Sequence, residues 1–445
     1  MFPVSLTANK FDVVIAGGGP AGSAAAFTLA AHGFRVAVVD KFSFPRDKLC
    51  GGLLTLRAKK IFRQIFQVDW SPVIHHTARG AKFFHQSSLL NSITDYSDIS
   101  FTCRREFDAF LLNLAVQRGA TFFENRTVKS VSTANSTITL ADGGTLTYDF
   151  LIGADGVNSA VARSLFGVPF NPKTIGFGLE LEIPIGNSVP QIPDPEIYFG
   201  LIDWGYGWVF PKRDSLTAGV GGSLRKNPEL MDSFKNFLCQ RFGEIPAGKI
   251  KGHHIPFGDF RRVPGRNNIL LCGDAAGLVE PITGEGIAFA MQSGHFAAEA
   301  VREAAAVGNP SAALDFYQSR YETIASSFRH ANCLRHFLFP HAAQNLFSKI
   351  LPCTASIPRR HLDLMADEIT YADYGKFLLR KAGSAPLRLF AVRPRTDFKT
   401  PRSVAIASAP SATSPPLPFV ETPPLPASKN GSNDSSPADA SVHAR

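Results

Sequence analysis

Residues 11–40 leave this chain few folds to choose from. Phe11-Asp-Val-Val-Ile-Ala16 is an apolar run of the kind that makes a short buried parallel strand. Gly17-Gly-Gly19-Pro20-Ala21-Gly22 follows, then an Ala-rich helical run to about His32, with Gly33 where a helix cap belongs. Arg35 to Asp40 reads as a second buried strand. This is one strand–helix–strand unit opening on a glycine turn. The first glycine permits the tight turn, the second lets backbone approach a pyrophosphate, and the third lets helix and strand pack closely. The helix amino terminus offers amides and a positive dipole to phosphates. Asp40 stands 18 residues after Gly22, where an acid accepts from a ribose hydroxyl pair and disfavours a 2′-phosphate. NADP is therefore not the expected ligand of this motif.

The rest of the chain divides by composition. Residues 41–100 read as irregular, Arg104–Arg118 as a helix ended by Gly119, and Ala141-Asp-Gly-Gly144 as a hairpin turn before a strand to Ile152. Residues 168–260 are rich in Pro, Gly and alternating apolar positions, with helical periodicity mainly near Leu230–Phe242. Asn268–Cys272 returns to a buried strand, a long helix is predicted from Gly286 to Ala305, and more helices reach about Leu389. Ten of the 31 prolines fall in the last 52 residues, with many Ser and Ala, which predicts a disordered tail.

Gly153-Ala-Asp155-Gly156 and Gly273-Asp274 each follow a predicted strand, and Pro281 and Gly284-Glu-Gly286-Ile287 come just after the second. Together with the first motif this set resembles the flavoprotein superfamily built on the p-hydroxybenzoate hydroxylase fold, over residues 11 to about 300. The resemblance implies FAD. The first motif would hold its ADP part, Asp155 and Gly156 would lie near the pyrophosphate and flavin, and Asp274 would hold ribityl or phosphate groups. It implies Arg104, in Arg104-x-x-Phe107-Asp108, and also Lys41 and Val128, as cofactor neighbours. One departure stands out. The superfamily's Asp-Gly-x-x-Ser-x-x-Arg has Ser159 here, but Ala162 takes the arginine position and Arg163 comes one later. That arginine is linked in hydroxylases to the nicotinamide cofactor, so how the flavin is reduced stays open.

Two further segments are more specific. Phe44-Pro45-Arg-Asp-Lys-Leu-Cys50-Gly51-Gly52 and Gly205-Tyr206-Gly-Trp208-Val-Phe210-Pro211 resemble the geranylgeranyl reductase family. That family has a Cys-Gly-Gly segment beside the flavin and a Tyr-x-Trp-x-Phe-Pro segment facing the substrate. The implied reaction saturates isolated double bonds of a prenyl, geranylgeranyl-type lipid. An isolated alkene resists direct hydride attack. A workable site therefore needs an apolar channel, a proton source and aromatic faces near a developing cation. Cys50, Tyr206 and Trp208 are the catalytic candidates. A small Cys can equally just pack beside a flavin, and both aromatics can be sheet core. Gly51 and Gly52 would let backbone lie against a flat ring, and Gly286 would aim helix amides at its anionic edge.

The expected architecture is α/β with two domains. A Rossmann-like FAD-binding domain takes residues 8–75, 101–167 and 262–330. A mostly antiparallel β substrate domain takes 168–261 with part of 76–100. A helical region spans 331–393 and a disordered tail 394–445. The 37 Phe against 8 Tyr and 3 Trp fit a greasy interior or pocket. The net charge of +9 is scattered, which disfavours nucleic acid. The six cysteines form no CxxC and predict no zinc site. His75/His76 and His253/His254 are adjacent pairs whose side chains face opposite ways on a strand, so they are read as surface or core residues. His336–Ser348 holds no Lys, Arg, Asp or Glu. It is either a helix packed on the core or one lying in a membrane surface, with Pro340 at a start or kink.

With no signal peptide evident in Met1–Lys10 and no apolar span, the expected place is cytoplasmic, with the inner membrane face open to peripheral contact. NADPH and a small electron-transfer protein both stay open as electron donors. Two rival readings remain: a flavin monooxygenase of the same fold, and a flavin-bearing prenyl-lipid binding protein without turnover.

Overall fold

The computed structural model describes residues 10–186 and 189–389. The segment 394–445, and the expectation made for it, lie outside those residues. The chain opens as β1 (Lys10–Ala16), α1 (Pro20–Ala30) and β2 (Val36–Val39). Val13 to Ala16 are fully buried, as an unbroken apolar run in a covered parallel sheet should be. Residues 41–100 depart from the irregular reading. They form β3 (Leu53–Leu54), α2 (Leu56–Phe66), β4 (Ile74–Ala78), β5 (Ala81–His85), β6 (Ser88–Ile93) and β7 (Ile99–Thr102). The helix has a local signal: Thr55 caps it, its hydroxyl accepting from Ala58 N at 3.1 Å, and Ala58, Ile61, Phe62, Ile65 and Phe66 make one buried face. The strands have little, because β3 pairs with β7 and β5 with a strand over a hundred residues away.

Next come α3 (Arg104–Gln117), β8 (Thr121–Phe123), β9 (Val128–Ser132), β10 (Thr137–Leu140), β11 (Thr145–Gly153) and α4 (Ala160–Phe166). The hairpin turn at 141–144 joins β10 to β11 as predicted. The β-rich stretch supplies β12 (Gly176–Pro184), β13 (Glu196–Phe199), β14 (Gly205–Pro211), β15 (Ser215–Ser223), α5 (Leu230–Phe242) and β16 (Lys251–Ile255). Then follow β17 (Gly265–Arg266), β18 (Ile269–Leu271), α6 (Ile287–Ala306), α7 (Ala313–Leu338), α8 (His341–Ile350), α9 (Ser356–Met365) and α10 (Tyr371–Leu389).

Two large sheets organise these elements. In the first, β18, β11, β1, β2 and β8 run parallel in that order, with β17 antiparallel at the edge and the β9–β10 hairpin extending β11. Helices α1, α3 and α6 bury its apolar strands, which is the Rossmann-like arrangement. The second sheet runs β16-β12-β15-β14-β13-β5-β6, antiparallel except for β13 beside β5. One face carries Leu179, Leu181, Ile183, Val209, Ala218 and Val220, packed under Phe234, Phe237 and Leu238 of α5. By the two-residue period of a strand, Glu180, Trp208, Phe210 and Gly219 fall on the other face. That face looks into the site. The described residues through Leu389 form one compact α/β unit.

Candidate active site

At the end of β1 the chain turns with Gly17 at φ +102°, where a Cβ would sit 2.3 Å from the Ala154 carbonyl oxygen. A Cβ on Gly22 would lie 1.8 Å from the Gly17 carbonyl oxygen. No side chain fits at either position, so strand, turn and helix close up, with Gly17 N donating to the Val39 carbonyl at 2.7 Å. Asp40 accepts from Gly18 N at 2.8 Å and from Phe42 N at 3.0 Å. It thus holds the glycine loop as well as standing on the cavity wall. Asp155 accepts from Ala160 N at 2.7 Å through one oxygen, while its buried Oδ1 finds no partner among the described residues. Burial raises the pKa of this carboxyl. Arg104 grips Asp108 through two bonds of 2.6 and 2.8 Å, and Arg46 meets the same carboxylate at 3.0 Å. Arg46 Nη1 is buried and likewise lacks a partner among the described residues.

These groups line one end of a cavity of about 600 Å³. Gly17, Gly19, Pro20, Ala21, Asp40, Lys41, Arg104, Val128, Asp155, Gly156, Gly273, Asp274, Gly284, Gly286 and Ile287 all reach its wall, as do Cys50, Gly51 and Gly52. Gly22 and Pro281 are buried behind it. The one-residue shift after Asp155-Gly156 turns Ala162 into the interior and puts Arg163 on the wall.

The far end is the open face of the seven-stranded sheet. Tyr206, Trp208 and Phe210 alternate along β14 and all reach the cavity. Gly51 lies against them: a Cβ there would sit 3.1 Å from Trp208 Nε1. Cys50 Sγ accepts from Gly52 N at 3.4 Å. The Tyr206 hydroxyl donates to the Thr283 carbonyl, tying the sheet to the loop that leads into α6. Burial raises the phenol pKa further, so this hydroxyl is a tether at neutral pH. The same loop is pinned from below by Glu285, which accepts from Arg57 at 2.7 Å and from the Thr55 hydroxyl. Phe83, Phe199, Leu338, Phe347, Ile357 and Met365 complete the apolar wall.

Pro340 precedes α8 as its N-cap residue. The uncharged stretch around it serves both surfaces. Leu338, Phe339 and Phe347 face the cavity, whereas Phe337 and Leu346 are 69% and 52% exposed. One further correction concerns His253 and His254, read from the sequence as surface or core residues. Both line the cavity, and burial and then Lys48 push the pKa of His253 down to about 4. Arg46, Lys48 and Glu180 share this wall too, although no motif singles them out. The first two lie inside the Phe44–Gly52 segment. Glu180 has only one signal, an acid in the alternating run Gly178-Leu-Glu-Leu-Glu182.

A family model described as an FAD binding domain matches residues 10–178. A menaquinone reductase from Mycolicibacterium smegmatis is 31% identical over 316 residues, covering 65% of this chain and 76% of that one. A chloroplastic geranylgeranyl diphosphate reductase from Arabidopsis thaliana is 32% identical over 325 residues, covering 67% of each. Among solved structures, a geranylgeranyl bacteriochlorophyll reductase-like protein from Thermoplasma acidophilum matches with a TM-score of 0.68. It is 23% identical, over 83% of this chain and 99% of that one, and the likeness is one of fold.

Proposed function

Because this chain belongs to the geranylgeranyl reductase family of FAD-dependent oxidoreductases, we propose that it saturates isolated double bonds of a geranylgeranyl-type prenyl lipid. The observation that carries the reading is a continuous cavity, which runs from the dinucleotide cradle to an apolar, aromatic-walled chamber. Relatives named for geranylgeranyl and menaquinone substrates support a hydrophobic isoprenoid.

The residues present fit FAD. The glycine turn has room for no side chain at Gly17 or Gly22, and two buried polar atoms, Asp155 Oδ1 and Arg46 Nη1, await partners at its edge. Gly17, Gly19 and the amides of α1 would hold the pyrophosphate, and Asp40 the ribose. Asp155, Asp274, Arg46 and Arg104 would hold the ribityl and phosphate groups. Cys50-Gly51-Gly52 and the start of α6 would flank the flavin. When bound and reduced, the flavin supplies a hydride.

The chain's own residues do the rest. The Tyr206–Thr283 and Arg57–Glu285 contacts keep the 280s loop in register with the sheet. Trp208 and Phe210 present aromatic faces where positive charge would develop on a protonated alkene. The apolar wall excludes water that would quench such a cation. Phe337, Leu346 and Leu379, the last 75% exposed, would let this end rest on a lipid surface. None of the described helices is long and apolar enough to cross a membrane.

The test is anaerobic. Holoprotein reduced with dithionite and mixed with geranylgeranyl lipids should show flavin reoxidation and a two-hydrogen mass gain in the lipid. Flavin that stays reduced until air is admitted would overturn the reading and favour a monooxygenase.

A further inference from the structure

Two carboxylates share one face of β12, two residues apart, with Glu180 on the cavity wall and Glu182 exposed beyond it, and they are treated differently. Glu182 receives Lys212 Nζ at 2.9 Å, the Thr217 hydroxyl at 2.7 Å and the Ser215 hydroxyl. Burial alone would raise its pKa, but Lys212 and these hydroxyls more than reverse that. Glu180 is 7% exposed and has no ion pair among the described residues, and its Oε1 is buried without a hydrogen-bond partner there. The Cys50 backbone N–H approaches its carboxyl. Burial, against the pull of Lys212, pushes the Glu180 pKa up to about 7.

The register explains what Glu180 faces. Its partner on β15 is Gly219, and the partner of Gly219 on β14 is Trp208. A Cβ on Gly219 would lie 2.4 Å from Trp208 Cζ2, so the indole lies across the bare glycine toward Glu180. Trp208 Nε1 is the second buried polar atom here without a partner among the described residues. An unmatched carboxyl thus stands beside an aromatic face, next to Cys50 and Gly51, in the cavity that ends at the nucleotide cradle.

We propose that Glu180 is the proton donor of this site, delivering its carboxyl proton to one carbon of the prenyl double bond. The proposal rests on the alkene-reductase reading above. In the step, the carboxyl O–H bond breaks and a C–H bond forms. The other alkene carbon takes the hydride that the reduced flavin supplies, so two electrons leave the flavin and the alkene becomes an alkane. The Glu180 carboxylate then regains a proton from water. Cys50, whose sulfur accepts from Gly52 N, is left to pack beside the flavin. Burial apart, the groups that set the titration of Glu180 are Lys212 after β14, Glu182 on its own strand, and Lys48 and the Cys50 backbone from the segment before β3; Tyr206 on β14 is coupled to it, and Lys251 is its register partner on β16. Lys251 is engaged with Asp47 at 3.3 Å.

The experiment compares wild-type, Glu180→Gln and Glu180→Asp holoproteins. Each is reduced without oxygen, mixed with geranylgeranyl lipid, and followed from about pH 5.5 to 9, a span chosen to bracket a general acid working near neutrality. Wild-type reoxidation should fall about tenfold per pH unit above its carboxyl titration. Glu180→Gln should bind and accept electrons into FAD as before, yet lose about 10²–10⁴-fold in lipid-dependent reoxidation along with the pH limb. Glu180→Asp should keep a pH limb at a reduced rate. Infrared spectra of the holoproteins give a readout without turnover: a carboxyl C=O band should vanish near neutrality in the wild type and be missing from Glu180→Gln. Wild-type rate and pH limb in Glu180→Gln would overturn the donor role alone. So would the lack of a band that titrates near neutrality. A wild type whose flavin stays reduced with lipid at every pH would overturn the alkene-reductase reading itself, and the donor role with it.

Discussion

At the nucleotide end of the cavity, Gly17, Gly22 and Asp40 place backbone, whereas the sheet end presents the side chains of Glu180 on β12 and of Tyr206 and Trp208 on β14, brought together across β15. The glycine turn of the first end is closed by bonds between residues near in sequence, with Gly18 N held by Asp40, while Asp155 and Arg46 at its edge each keep one buried polar atom that no described residue satisfies. The second is assembled by strand register, and register leaves Glu180 and Trp208 with polar atoms that no described residue satisfies. Binding a nucleotide calls for a rigid backbone turn with free polar atoms at its edge for the ligand. Chemistry on an apolar alkene calls for a group held in an environment that keeps its proton.

That contrast can be broken by substitutions that strike one end and spare the other. The largest effect belongs to Gly22→Val. With no room even for a Cβ beside the Gly17 carbonyl, the purified protein should carry essentially no FAD, read from flavin absorbance. Retained flavin would show that the turn is not the cradle.

Gly219→Ala is the matching change at the sheet end. Its methyl would displace the Trp208 ring, so flavin content should hold while lipid-dependent reoxidation falls about 10²-fold. Loss of flavin in this variant would mean that the two ends are not independent.

Arg57→Ala leaves the buried Glu285 carboxylate without its counter-charge, with only the Thr55 hydroxyl still donating to it. Denaturant unfolding should show a loss of about 3–5 kcal/mol.

Glu180→Gln should change stability with a definite sign. Its pKa is about 7 folded against an ordinary value of 4.5, so between those values the folded chain keeps a proton that the unfolded chain has released. Wild-type stability therefore falls as pH rises through that window, and the Gln variant does not share the fall. The variant should gain up to about 3 kcal/mol on the wild type by pH 8 relative to pH 4. An equal pH dependence for both proteins would show that Glu180 titrates normally. Tyr206→Phe removes one tether and should cost only about 0.5–1.5 kcal/mol, with the loop, and so the reoxidation rate, affected more than the fold.

Much of the nucleotide end is legible in the amino-acid sequence. The Gly17–Gly22 turn, Asp40, Asp155-Gly156 and Gly273-Asp274 all fall on one wall because each sits at the end of a parallel strand, and parallel strand ends converge. Helix α2 carries a readable cap and apolar face, yet it lies in a stretch whose composition suggests irregular chain. Strands β3 to β7 are harder to read: β5 and β6 form a local hairpin and β4 returns to β7, but β3 waits for β7 and β5 takes its other neighbour from over a hundred residues away. His253 and Glu180 are hidden for a related cause: a strand's period shows which residues share a face, not what the face looks at.

The sequence by itself determined the dinucleotide turn, the parallel order of strand and helix around it, and the two short segments that mark the family. Those depend on φ angles, contact between neighbouring elements and apolar periods, all local quantities. Only the tertiary structure decided that Glu182 has a lysine and Glu180 does not, and that a glycine on the next strand turns an indole toward the unpaired acid. Burial and pairing are properties of a place in space, and two glutamates in one five-residue run acquire different chemistry only once the sheet has formed.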